Sequence, residues 1–206
     1  MIDLHTHSTA SDGAFSPAAL MEKASAEGLS AIALTDHDSV DGIDEARAAA
    51  TRLGLRFIAG IEIEIAFAPG EFHLLGLDFA SIGPGLAAAA GELAASREER
   101  NRAVLDKLGE LGLDLEYDEF KRSVGTGMIG RPHIAELMLK KGIVRIKQDA
   151  FDRYLAKGRP FYVQKACLPL ARAIEVIRES GGLAFVAHPL SLFVSWTRMR
   201  ALMAEW

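Results

Sequence analysis

Met1-Ile-Asp-Leu-His5-Thr-His7-Ser-Thr-Ala-Ser-Asp12-Gly13 opens the chain and decides how the rest is read. Its apolar run, Ile2 to Leu4, predicts a strand over residues 1–6. Side chains alternate faces along a strand, so His5 and His7 point the same way. Two imidazoles on one side of a strand end begin a metal site, and Asp12 offers a hard oxygen ligand from the following loop. His-x-His is also short enough to arise by chance on a surface, so the remaining chain must decide.

Outward from this stretch the pattern is β-α-β-α-β. Ser16-Pro17 supplies an N-cap and an N1 proline for a helix that Gly28 stops. Leu29 to Leu34 is a fully apolar second strand ending in Thr35-Asp36-His37-Asp38. A helix from Gly42 to Leu53 stops at Gly54. Arg56 to Phe67 is a third strand, in which Glu62 and Glu64 alternate with Ile61, Ile63 and Ile65. The turn Ala68-Pro69-Gly70-Glu71 leads to a fourth strand, Phe72 to Leu77, which holds His73. Buried apolar strands in this order predict a parallel α/β sheet or barrel, whose chemistry gathers at the carboxyl ends of the strands. Glu62 and Glu64 fit two readings: inward carboxylates that must be paired or coordinated, or the wet face of an amphipathic edge strand.

From Pro84 the pattern turns helical. One long helix is expected to about Leu111, then shorter ones over Asp114–Ser123, Pro132–Lys141 and Ile146–Lys157. Residues 82–165 are thus expected to form a helical insertion or cap, with 1–81 and 166–206 forming the barrel. Gly125-Thr-Gly-Met-Ile-Gly-Arg131-Pro-His133 is a glycine-rich loop entering a helix, whose free N–H groups favour anions, but as a phosphate signal it is weak and an ordinary loop is the more common reading. Leu168 to Ser180 predicts a helix, Leu183 to Ala187 a strand ending in His188-Pro189, and 195–206 a last helix.

Composition bounds the function. The 206 residues are 50% hydrophobic and carry a net charge of −5, enough for one domain with a full core. No run of about 18 apolar residues predicts a membrane span, and charged residues from position 3 argue against a secretory signal. The lone Cys167 excludes an internal disulfide framework, suits a cytoplasmic location, and reads as a small buried side chain. Residues 1–80 hold 13 acids and 4 bases, whereas 121–165 hold 11 bases and 3 acids. An acidic half suited to cations is joined to a basic segment that is either an anion site or a solvated face.

Of six histidines, His5, His7, His37, His73 and His188 follow or lie in apolar strands, and His133 opens a helix. Five at strand ends, with Asp12 and Glu62, are hard to explain without metal. Mixed imidazole and carboxylate ligands suit zinc, manganese or iron. Asp3-Leu-His-Thr-His7, Ser11-Asp-Gly13, Thr35-Asp-His-Asp38, Gly60-Ile-Glu62, His73-Leu-Leu-Gly76 and Ala187-His-Pro189 together resemble the polymerase-and-histidinol-phosphatase (PHP) domain of the amidohydrolase superfamily. The likeness runs from residue 1 to about 190.

That resemblance implies a distorted seven-stranded β/α barrel of the TIM-like kind and up to three divalent ions, Mn, Fe or Zn. It implies that His5, His7 and Glu62 hold one ion. Glu62 bridges to a second, held with His73 and His188, and Asp12 and His37 hold a third. Asp12, His37, Glu62 and His188 would act in catalysis, with Asp36 and Asp38 orienting His37. The helical insertion resembles the branch of 3′,5′-nucleotide bisphosphate phosphatases and 5′-end-directed oligoribonucleases. There Arg131 and His133 correspond to phosphate contacts, with Arg159 and Lys165 as further candidates. The implied activity is metal-dependent phosphoester hydrolysis on a nucleotide or short RNA, without a stable nucleic-acid complex or membrane partner. Another phosphomonoester such as histidinol phosphate, or a non-catalytic metal- or nucleotide-binding module, are the alternatives.

Two features depart from the family pattern. After His188-Pro189 stands Leu190-Ser-Leu-Phe193 where a Gly-Arg-Tyr-like continuation is usual, and no Asp-x-His follows His188. These departures predict a natural chain that continues with further strands and that motif, and predict that these 206 residues alone are aggregation-prone and nearly inactive.

Overall fold

The structure is a computed structural model and describes residues 1–68, 70–113, 115–125 and 128–206. Pro69 of the expected turn, Asp114 of an expected helix start, and Thr126 and Gly127 of the glycine loop lie outside the described residues.

The first half alternates as its local signals demand. Strand β1 (Ile2–Thr6) is followed by α1 (Pro17–Ala26), where Ser16 Oγ accepts the Ala19 N–H at 3.2 Å and caps the helix. Strand β2 (Ala31–Leu34) starts later than its apolar run. The Leu29 N–H instead donates to Ala24 O and closes the preceding helix. Helix α2 (Ile43–Leu53) ends at Gly54, whose φ of 66° suits glycine. Strands β3 (Arg56–Ile65) and β4 (Phe72–Leu77) follow.

Next come α3 (Pro84–Gly109), α4 (Tyr117–Val124), α5 (Arg131–Lys140) and α6 (Lys147–Ala150), which runs on as a π-turn to Leu155. Helix α7 (Leu170–Glu179), β5 (Leu183–Val186), a 3₁₀ turn (Pro189–Leu192) and α8 (Trp196–Glu205) complete the described chain. No described helix is long and apolar enough to cross a membrane.

The five strands form one open, curled sheet in the order β1-β2-β3-β4-β5. The first three run parallel, but β4 is antiparallel to both β3 and β5. The all-parallel expectation fails there because a short turn, not a crossover helix, joins β3 to β4. The seven-stranded barrel is likewise not what the described residues form. After β5 the chain enters the 3₁₀ turn and α8, so β1 and β5 remain the edges of a half-barrel.

Strand β3 sorts its side chains by face. Ile61, Ile63 and Ile65 pack outward with Leu86, Leu93, Val176 and Ile177 of α3 and α7, while Met21, Ile32, Leu34 and Ala50 form the core beneath α1 and α2. Glu62 and Glu64 point to the other, concave side, and Glu62 is only 1% exposed, so the wet-edge reading is excluded.

The helical part has its own core, including Leu108, Phe120, Ile134, Met138 and Phe161. Helix α3 packs into both cores. Leu86, Ala90 and Leu93 of α3 belong to the sheet core, and Val104, Leu105 and Leu108 of the same helix to the helical core.

Gly76 lies where β4 meets α7. A Cβ there would stand 2.8 Å from Ile177 Cγ1 and from Phe79 Cζ. Gly76→Ala is therefore expected to destabilise the fold by about 1–3 kcal/mol through overpacking, read as a lowered midpoint in urea with an unchanged m-value.

Candidate metal centre

Glu62 is the point on which the strand ends converge. Its Oε2 lies 3.1 Å from His5 Nε2, 3.2 Å from His7 Nε2 and 3.2 Å from His37 Nδ1. Its Oε1 lies 2.9 Å from both His73 Nδ1 and His188 Nε2. The backbone produces this convergence. His37 bridges to Glu62 as the parallel continuation of β2 beside β3, and His73 on β4 is the cross-strand partner of Glu64. His188 follows β5, whose neighbour Ala187 donates its N–H to His73 O at 2.9 Å.

A carboxylate offers roughly four lone-pair sites, and five ring nitrogens face it. The His73 and His188 nitrogens also approach each other to 3.2 Å, an unfavourable pairing unless a proton or cation lies between. His7 Nδ1 and His37 Nδ1 are buried without a hydrogen-bond partner. Nitrogen–oxygen separations of 2.9–3.2 Å approach the roughly 3.4 Å edge of a tetrahedron with metal–ligand bonds of about 2.1 Å. The donor set therefore fits divalent ions. Among the described residues, two groups have ligand atoms within 4.8 Å of one another: His5, Glu62 and His188, and His7, His37 and Glu62.

In the metal-free protein these contacts set the charge of each group. Burial opposes ionisation of Glu62, but hydrogen bonds led by His188 and His5 outweigh it and hold its carboxyl far below the usual range. Burial pushes His37 down to about 4, so its imidazole is neutral near pH 7, as a ligand must be. His188 is raised chiefly by its hydrogen bond to Glu62. His7 is also raised, because its hydrogen bond to Glu62 and the neighbouring carboxylates outweigh burial.

The supporting residues differ from expectation. The Asp36 carboxylate makes no hydrogen bond to His37. It accepts the Ser8 N–H (2.7 Å), Ser8 Oγ–H (2.7 Å) and Ser11 Oγ–H (2.6 Å), and so anchors the loop that carries Asp12. Asp38 turns away as well and pairs with Arg97 and, at 3.0 Å, with Lys165. Its φ of 55°, like the 27° of His188, is uncommon for a non-glycine residue. Asp12 lies 3.7 Å from His7 Nδ1 rather than paired with His37. Both do line one cavity.

That cavity, about 130 Å³, is also lined by His73, Glu64, Arg97, Arg100, Arg131 and Lys165. Arg131 is at the start of α5, 3.6 Å from Glu71 and over the Tyr162 ring. His133 caps the same helix: its Nδ1 accepts the Gly130 N–H at 2.9 Å, and burial lowers its pKa. Lys165 is buried and bound to Asp38 and to Glu64 (3.2 Å), so its charge is already matched. Arg159 is exposed and is not among the residues lining this cavity. Cys167 is half-buried, and burial followed by Glu64 pushes its thiol up to about 11, which keeps it protonated.

Sequence reasoning missed three residues. Arg97 and Arg100 sit in the buried stripe of α3 with Leu93 and Val104, and charged residues in an apolar stripe were the signal. Ser191 lies in the segment that departs from the family pattern. It donates to Glu71 O (2.9 Å) and so presents a lone pair to His188 Nδ1, also at 2.9 Å. That holds a proton on His188 Nδ1, so Nε2, which donates to Glu62 Oε1 in the metal-free protein, is the nitrogen left to face an ion.

A half-barrel whose strand-end histidines surround a buried glutamate defines a metal-binding α/β protein of the hydrolase kind. The chain belongs to the PHP domain family, which its residues 3–155 match. It is 37% identical to a 5′-3′ exoribonuclease of Haemophilus influenzae over 203 residues, covering 98% of this chain and 74% of that protein. It is 36% identical to a 3′,5′-nucleoside bisphosphate phosphatase of Chromobacterium violaceum over 189 residues, covering 91% of this chain and 66% of that protein. Among solved structures, an amidohydrolase from Chromobacterium violaceum with bound sulfate and no metal superposes with a TM-score of 0.90. The two are 34% identical, and the match covers 99% of this chain and 72% of that one.

Two outcomes are expected. Glu62→Gln keeps the shape and removes the shared charge, so elemental analysis should show loss of at least one bound ion, with the circular dichroism of the fold retained. Histidine NMR titration of metal-free protein should separate two rings. His37 protonates only near pH 4 and His188 above 6.5. By linkage, His37 makes the metal-free fold lose stability as pH falls from 6.5 towards 4, since the unfolded chain binds that proton first, whereas His188 contributes stability that fades as pH rises above 6.5.

Proposed function

We propose that this chain carries the active site of a metal-dependent phosphoesterase acting on a nucleotide, either a 3′,5′-bisphosphate or the 5′ end of a short RNA. The carrying observation is that His37, His73 and Asp12 of the histidine–carboxylate centre share one cavity with Arg97, Arg100, Arg131 and Lys165. A site for cations and a site for anions are thus adjacent, which phosphoryl transfer needs. Similarity to an exoribonuclease and to a bisphosphate phosphatase supports a nucleotide substrate, and the sulfate in the related structure supports a tetrahedral oxyanion.

In this reading His5, His7, His37, His73, His188, Glu62 and Asp12 hold up to three divalent ions, Mn, Fe or Zn. When bound, these supply Lewis acidity and a water whose pKa falls towards about 7. The protein's own residues do the rest. Glu62, fixed between strands and fully ionised, orients the five imidazoles. Ser191 holds the His188 proton at Nδ1. Asp12, beside His7 and against Gly130, is placed to accept the proton of the attacking water. Arg131 presents a planar fork to a phosphate at the mouth of the cavity, which lysine cannot copy. His133 serves this fork by capping α5, and Lys165 by holding Asp38 and Glu64 in place.

The test is phosphate or mononucleotide release across adenosine 3′,5′-bisphosphate, 5′-phosphorylated di- and trinucleotides, and histidinol phosphate. Turnover of the nucleotides is expected, lost on chelation and restored by a divalent ion. Arg131→Ala should lower kcat/KM for the bisphosphate by about 100-fold, the worth of a charge-assisted bidentate contact, with metal content unchanged. Turnover of histidinol phosphate alone would replace the nucleotide reading.

A further inference from the structure

Arg97 and Arg100 stand one turn apart on α3 and are equally buried, at 6% and 5% exposure, yet they differ in partners. Arg97 is spent on Asp38, to which its Nη2 donates. Arg100 has both Nε and Nη2 buried without a hydrogen-bond partner, and it makes no ion pair among the described residues. Burial, then the guanidiniums of Arg97 and Arg131, push its pKa down to about 9, which leaves it charged at neutral pH. A buried cation without a counter-ion is costly, and an arriving anion removes that cost.

The charges around the cavity say what the anion is. Arg97, Arg100, Arg131 and Lys165 are opposed by two carboxylates, the buried Asp38 and the partly buried Glu64. Glu71 near Arg131 is 42% exposed and screened by water, and Asp12 lies beside His7 on the metal side. The surplus is two positive charges, close to the roughly −1.5 to −2 of a phosphate monoester at pH 7. Arg100 makes no hydrogen bond or ion pair with Glu62 or the five imidazoles, while His37 and His73 line the same cavity, so the anion it awaits adjoins the metal centre.

Resting on the nucleotide phosphoesterase reading above, we propose that Arg100 is a specificity-determining residue that binds the phosphoryl group of the substrate that is not cleaved. Arg97, one turn away, is the positioning residue that keeps Asp38 from neutralising it. The sequence pattern alone does not separate the two arginines; their partners do.

The experiment compares the metal-loaded full chain with Arg100→Met, which keeps the length of the stem. Substrates are adenosine 3′,5′-bisphosphate and adenosine 3′-monophosphate, which lacks the second phosphate. For the bisphosphate, kcat/KM should fall by about 100-fold, against about threefold or less for the monophosphate, with bound metal unchanged. A second readout needs no turnover. Inorganic phosphate should raise the Tm of metal-free wild-type protein and leave that of Arg100→Met unmoved. Should Arg100→Met fail to fold, Arg100→Lys, which keeps the charge and loses the fork, is measured in the same way and should lose the bisphosphate preference in part. Equal losses on both substrates, no loss on either, or equal stabilisation of wild type and variant by phosphate would overturn the proposal. Wild-type protein that turns over neither nucleotide, yet is stabilised by phosphate only with Arg100 present, would overturn the nucleotide reading and keep Arg100 as an anion site.

Discussion

A single carboxylate, Glu62, sits 1% exposed on a strand with five imidazoles directed at its two oxygens. Burying a charge this deeply is tolerated only when the surroundings supply matching donors or cations. Most of the architecture around it can be understood as that supply. The open half-barrel brings the ends of β1, β2, β4 and β5 to the same place. The reversed direction of β4 sets His73 at its start, beside Glu64, so that it reaches Glu62 from the neighbouring strand. The Asp36 carboxylate spends its hydrogen bonds on the 8–11 loop, and Ser191 Oγ faces His188 Nδ1 while donating to Glu71 O. Both convert flexible connections into fixed ligand positions.

The elements that local chemistry determines were legible in the sequence. Ser16-Pro17 starts α1 and Gly54 ends α2 because capping and left-handed backbone are properties of a few neighbouring residues. The direction of β4 is a different matter. It depends on whether a short turn or a crossover follows β3, and apolar runs look alike in either case. The division of α3 between two cores was equally hidden, since one helical stripe continues through both.

At the site, the histidines stood out because imidazoles at the ends of apolar strands are rare unless used. The partners of Asp36 and Asp38 were not legible. Asp36 meets Ser8 and Ser11 across 28 and 25 residues, and Asp38 meets Arg97 across 59, so only the folded chain decides which acid serves which base. Lys165 shows the same limit. Its position in a basic segment suggested an open phosphate contact, and two carboxylates from other strand ends enclose it instead.

Helix α3 resembles a beam clamped at both ends. Leu86 and Leu93 are seated in the sheet core, Val104 and Leu108 in the helical core, and the span between them bears Arg97, Arg100 and Asn101, the last tied to Ile129 O at 2.8 Å. A beam so held cannot sag or pivot at mid-span without lifting one of its footings, and packed cores resist such displacement. The distance from the arginines to the histidine cluster is therefore a built-in gauge. Ligands are measured against a fixed ruler, and those whose charged groups are spaced otherwise find no compliance in the wall that faces them.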